Sequence, residues 1–146
     1  MTDNLYEKDL RLWAEQQAKY LRERDLSLMD LDNVAEEIES LGRRQLYEQR
    51  VRIKALCTWM LLWELQPTLR RPLWYSNIVE ERLMLETIME VSPSLVASLP
   101  EVLEKEYAAA SELVQNDTGL SHVPERCPWT FRELMQRPLD ADRPLP

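Results

Sequence analysis

Histidine is nearly missing from this 146-residue chain, which carries one, His122. Sites that need two or more histidines are therefore excluded, the Glu-x-x-His pairs of di-iron bundles among them. A hydrolytic triad is disfavoured on the same count, since His122 falls in an expected loop and no glycine-flanked serine elbow is present. Glycine is scarce as well, with 2 residues against 9 prolines. Two glycines cannot build a phosphate-cradling loop or a set of tight hairpins. The 2 cysteines, Cys57 and Cys127, are no disulfide framework. Cys57 lies in an apolar helical run and reads as a small core hydrophobe, whereas Cys127, between Arg126 and Pro128, reads as more exposed. No long hydrophobic run occurs either. The greasiest stretch, Ala55–Leu65, is too short to span a bilayer and reads as a buried helix. The opening MTDNLYEKDL has no apolar signal core, so a cytoplasmic location is expected.

Hydrophobic residues make up 45% of the chain and charged residues 30%, an ordinary balance for a soluble protein with a core. Net charge is −8, which disfavours general binding to nucleic acid or to acidic membranes. The charge is uneven, because Arg43 to Arg82 holds eight basic residues against four acidic ones. That middle stretch can receive an acidic patch of a partner.

The apolar spacing is helical throughout, and no useful segment alternates with period two. A first helix is expected over Asp3–Arg24, with Tyr6, Leu10, Trp13, Gln17, Tyr20 and Leu21 on one stripe. Polar residues of Asp25–Asp30 break it. A second helix starts at Asp32 or Asn33, good N-caps, and meets no proline before Pro67. Val34, Ile38 and Leu41 form its early apolar stripe; the later one, through Ile53, Leu56, Cys57 and Met60, is rotated, as befits a central helix with different neighbours along its length. Further helices are expected over Leu73–Val91 and Leu99–Gln115. A short one over Thr130–Gln136 carries a Thr130/Glu133 capping box. The expected fold is all-α: an antiparallel bundle of four main helices with a long central second helix, plus a short C-terminal helix. It forms one domain over residues 1–136, followed by a proline-rich tail over 137–146.

Several side-chain groups are candidate sites. Glu36, Glu37 and Glu39 suit a hard cation such as Mg²⁺ or Mn²⁺. Glu36 and Glu39, however, point away from the apolar stripe, and Glu39 can pair with Arg43 one turn on. Arg43, Arg50 and Lys54 share one helical face, with Tyr47 beside them, and can meet phosphate or a partner carboxylate. Trp59, Trp63 and Trp74 surround a turn that holds Arg70 and Arg71, which allows guanidinium stacking or simply a closed end of the core. Glu81 and Arg82 straddle the stripe of Trp74, Ile78 and Leu85. A charge there needs a partner, so a buried Glu37–Arg82 pair is expected.

Taken in order, these motifs resemble the bacterial domain of unknown function 29 family. The resemblance rests on Asp32–Gly42 (DNVAEEIESLG) and on Trp63-Glu-Leu-Gln66-Pro67 with Arg70 and Trp74, similar to a W-x-x-Q-P-x-x-R pattern. Glu81-Arg82 stands where the family has Gln-Arg, Ser92–Leu95 resembles its P-S-L turn, and Tyr6, Asp9 and Trp13 resemble its start. It covers residues 5–110 and leaves the last 36 outside. It implies a helical bundle with no established activity and no catalytic residues to carry over. Trp59 takes the place of a histidine frequent in the family before W-x-x-Q-P. The leading expectation is thus a non-enzymatic module that binds a protein partner or itself, without metal or cofactor. The alternative is a Mg²⁺- or Mn²⁺-dependent enzyme acting on a phosphorylated small molecule through Glu36, Glu37 or Glu39.

Overall fold

A computed structural model of the chain describes residues 4–139. It contains six α-helices: α1 (Leu5–Lys8), α2 (Leu10–Glu23), α3 (Leu31–Leu65), α4 (Pro72–Val91), α5 (Leu99–Thr118) and α6 (Phe131–Gln136). Single 3₁₀ segments at Leu26–Leu28, Pro67–Leu69 and Pro93–Ser98 connect them, and no strand occurs among the described residues. The all-α expectation, the long second main helix and the short C-terminal helix all hold. Packing divides the chain into two compact units, one reaching to Arg44 and one beginning at Gln45. The 35-residue α3 contributes to both.

In the first unit the expected single N-terminal helix is broken. Asp9 leaves helical geometry, and its carboxylate accepts from the Leu12 N–H to cap α2. The helix ends at Arg24, which takes a left-handed conformation with φ 58°. Helix α3 starts at Leu31, one residue before the expected Asp32. Asp30 accepts from the Asn33 backbone N–H at 3.4 Å and from Asn33 Nδ2 at 2.7 Å. An aspartate just before a helix satisfies an otherwise orphaned N–H and complements the helix dipole. Asp30 also ties α3 to α2: its N–H donates to Gln17 Oε1 at 2.8 Å, and Trp13 Nε1 donates to its carboxylate at 3.2 Å. Tyr6 of α1 reaches Glu37 further along α3 and ties the start of the chain to that helix.

The second unit holds the main core. Ile53, Leu56, Cys57, Met60 and Leu61 of α3 pack with Ile78 and Leu85 of α4 and with Leu103, Tyr107 and Val114 of α5. The apolar stretch Ala55–Leu65 is therefore a buried helix. Prolines at first-turn positions open α4 and α5, where the missing N–H costs nothing. Gly119 ends α5 with φ 72°, a conformation that a side chain would strain. The Thr130/Glu133 capping box is formed. Val123, Trp129 and Leu134 are buried in the same core, so the segment after α5 belongs to this unit. Leu139 also packs against that core. The tail expected from residue 137 is thus anchored at its start, and its remainder, 140–146, lies outside the described residues.

Candidate functional site

The first unit carries an apolar groove. Trp13, Ala18 and Leu21 line it from α2, and Val34, Ile38 and Leu41 from α3. Its cavity measures about 270 Å³. Helical spacing makes Val34, Ile38 and Leu41 a stripe, but only Val34 is half-buried; Ile38 and Leu41 are exposed. The expectation that this stripe packs against neighbouring helices is corrected for these two residues. In this unit the other helices are α1 and α2, and a two-helix hairpin cannot cover both flanks of a stripe this wide.

Glu36, Glu37 and Glu39, the candidate cation ligands, are engaged by protein groups. Arg43 bridges Glu36 and Glu39, the latter at 3.5 Å, and all three are exposed. Glu37 accepts from the Tyr6 hydroxyl at 2.7 Å, and that hydrogen bond raises the Tyr6 pKa. Among the described residues no cluster of three or more His, Cys, Asp or Glu side chains converges as a metal site.

The expected partner of Glu37 therefore needs correcting. Arg82 donates to two backbone carbonyls, Leu134 O and Arg137 O, each at 3.0 Å. These are carbonyls at the end of α6, where helices leave acceptors unsatisfied. Desolvation lowers the Arg82 pKa. Glu81, beside it, is met by Arg52 at 3.2 Å; burial raises the Glu81 pKa and Arg52 opposes the shift.

Of the expected Arg43, Arg50 and Lys54 face, Arg50 finds a carboxylate on another helix. Its Nε lies 2.7 Å from Glu106 of α5, whose side chain is 9% exposed. Tyr47, Arg50, Val51 and Lys54 surround a shallow pocket over that pair. At the turn, Arg70 stacks 4.6 Å from the Trp63 ring centroid and donates to Trp63 O at 2.8 Å. The ring of Tyr75 lies 6.1 Å from that of Trp63, and Trp74 packs against the core. Arg71 is exposed and precedes α4 without capping it. The guanidinium stack is thus a core-edge contact that staples the turn to the end of α3.

Sequence reasoning missed the most buried ion pair among the described residues, Arg137–Glu64. It measures 2.7 Å, with side chains 9% and 4% exposed. It also missed Glu106 and Asp30. Asp30 had a local signal, an acidic residue just before a helical pattern; Glu106 and Arg137 had none, because their partners are remote in sequence.

The side-chain hydrogen bond from Asn33 is the main cause that lowers the Asp30 pKa; burial opposes it, and the Asn33 backbone N–H and Trp13 add to the fall. A carboxylate whose folded pKa is depressed stabilises the fold above its unfolded pKa of about 3.9 and loses that contribution as pH falls through the folded value. Protection of the first-turn amides of α3, taken relative to the intrinsic exchange rate at each pH, should therefore fall below about pH 4. Asp30→Asn keeps a capping oxygen and should flatten that acid dependence. Equal acid dependence in the two proteins would exclude Asp30 as its source.

No curated protein and no solved structure matches the chain. Residues 5–139 match the family described as Domain of unknown function DUF29. The match runs beyond the 5–110 expected from the motifs and takes in the segment whose Val123, Trp129 and Leu134 complete the core. With nearly all the described residues inside that match, the chain belongs to the DUF29 family.

Proposed function

We propose that this protein is a non-enzymatic interaction module that associates with a second copy of itself through the groove of its N-terminal unit. The observation that carries the reading is an apolar stripe left open: Leu21, Ile38 and Leu41 are 56%, 63% and 57% exposed around one groove. Contiguous exposed apolar surface on a folded chain marks an interaction site. The charged groups nearby are already matched within the chain, since Arg43 holds Glu36 and Glu39 and Tyr6 holds Glu37. The drive to associate is then apolar rather than ionic. A second copy is the natural complement, because two antiparallel helical hairpins joined by their apolar faces make a four-helix bundle. A two-fold arrangement presents the same patch on both sides. The net charge of −8 and the lack of a described helix long and apolar enough to cross a membrane support a partner that is protein rather than nucleic acid or bilayer, met in the cytoplasm.

Sedimentation velocity over a concentration series tests this. The full chain should move towards a dimer as concentration rises. Burying each large apolar side chain contributes about 1.5–3 kcal/mol. Replacing Ile38 and Leu41 by Glu in both copies should weaken the dimer by at least about a hundredfold and leave helical circular dichroism unchanged. A wild-type chain that stays monomeric, or a dimer indifferent to the double substitution, would overturn the reading.

A further inference from the structure

The first unit holds a second, more polar cavity, of about 520 Å³. That is a usual size for a small-molecule pocket. Trp13, Gln17 and Tyr20 share one face of α2 and form one wall. Tyr6 of α1 and Asp30, just before α3, also line it. Ile38 and Leu41, which line the groove, do not line this cavity.

Three aromatic side chains thus meet one carboxylate. The rings of Tyr6 and Trp13 stand edge-on, with centroids 4.8 Å apart. Hydrogen bonds fix both rings: Trp13 Nε1 donates to Asp30 at 3.2 Å, and the Tyr6 hydroxyl donates to Glu37 at 2.7 Å. Tyr6 and Tyr20 are half-buried, so part of each side chain stays accessible. Asn33 Nδ2, at 2.7 Å, holds the Asp30 carboxylate in place. No Lys, Arg or His lines the cavity, so nothing in its wall balances the Asp30 charge. Gln17 adds an unused donor. The residue is 8% exposed, and its Oε1 accepts from the Asp30 N–H at 2.8 Å. Its Nε2 has no hydrogen-bond partner among the described residues.

These groups select a ligand by charge and shape. The faces of aromatic rings attract cations, and alkylated ammonium ions are the usual occupants of aromatic cages. Asp30 favours the same sign and repels anions. A divalent metal ion finds one carboxylate here, too few oxygen ligands to hold it. The idle Gln17 amide calls for an acceptor on the occupant, since a buried donor is costly to leave unpaired. We propose that this cavity binds a small alkylated ammonium ion that carries a hydroxyl, the cation lying among Tyr6, Trp13, Tyr20 and Asp30 and the hydroxyl accepting from Gln17 Nε2. The proposal does not depend on self-association through the groove.

Isothermal titration calorimetry of the full chain with choline chloride tests it. Choline should bind saturably at millimolar concentration. The neutral alcohol in which carbon replaces the choline nitrogen has the same shape without the charge and should bind at least about tenfold more weakly. Tetramethylammonium lacks the hydroxyl and should also bind more weakly than choline, as should phosphocholine, whose phosphate meets no cation in the lining. Asp30→Asn keeps a capping oxygen and should weaken choline binding about tenfold. Tyr20→Leu should weaken it at least about fivefold, and Tyr20→Phe, which keeps the ring, should leave it within about twofold. Circular dichroism checks that each variant is folded. Choline binding should survive in the Ile38→Glu/Leu41→Glu protein, which separates this site from the groove. No saturable heat with choline, equal affinity for choline and the neutral alcohol, or tighter binding of phosphocholine would each overturn the proposal, and all three are read on the wild-type chain. Tetramethylammonium binding as tightly as choline would refute the role given to Gln17.

Discussion

Replacing Arg137 by Ala should lower the stability of the second unit by about 3–5 kcal/mol, the cost of breaking a buried ion pair from one side. The Arg137 Nε–Glu64 contact is 2.7 Å long, and both side chains are almost fully withdrawn from water. Without Arg137, the Glu64 carboxylate stays in the interior with neither water nor its cation. Glu64→Ala should cost a similar amount by stranding the guanidinium. The two losses should not add, since either change already destroys the contact. A Glu64→Leu/Arg137→Met double variant removes both charges, keeps apolar volume and should recover much of the lost stability. Urea midpoints of the four proteins, with their slopes compared, measure this. If Arg137→Ala unfolds at the wild-type midpoint, the stretch after α6 does not belong to the cooperative unit. Arg82 sharpens the expectation, because it holds Arg137 O and Leu134 O at the same helix end.

Trp129→Ala should be comparably severe, at about 3–5 kcal/mol for deleting a large buried aromatic. Trp129 is 3% exposed and meets the ring of Tyr107 edge-on, with centroids 6.2 Å apart. Tyr107 in turn donates its hydroxyl to Pro124 O at 2.7 Å, which ties the loop after α5 to that helix. Removing the indole leaves a cavity at the point where loop, α5 and α6 meet, and the surrounding helices can collapse into it only in part. Trp129→Phe retains a ring for the Tyr107 contact. Its cost should be clearly smaller, because Trp129 Nε1 has no hydrogen-bond partner among the described residues and losing that N–H forfeits no bond. Thermal unfolding of the two variants separates packing from hydrogen bonding. Equal destabilisation by Phe and Ala would mean that the indole N–H is bonded after all.

Much of the fold is written locally in the chain. Proline at first-turn positions, Gly119 after α5 and the Thr130/Glu133 box fix helix ends through the backbone groups that a helix leaves unpaired. The uninterrupted pattern up to Pro67 makes α3 long, and the two glycines leave few other places for sharp turns. Asp9 is where local reading failed. It lies within an otherwise helical pattern, yet its side chain caps the helix that follows it instead of extending the one before. Short polar side chains compete for backbone N–H groups, and sequence alone does not say which side wins.

What sequence by itself determined is the set of faces: which side of each helix is apolar, roughly where the long helices after α2 begin and end, and that Cys57 is core. Only the tertiary structure decided what meets those faces. Helical periodicity marks Ile38 and Leu41 as apolar but is silent on whether anything covers them, so a stripe expected to meet neighbouring helices became an open groove. A lone Arg82 announces that it needs an acceptor, and the expected acceptor was a carboxylate. It takes the carbonyls at the end of α6 instead, and a carbonyl leaves no mark in a sequence because every residue has one. The same reason hid the Arg137–Glu64 pair: it joins segments far apart along the chain, and closure of the second unit around one core brings them within reach.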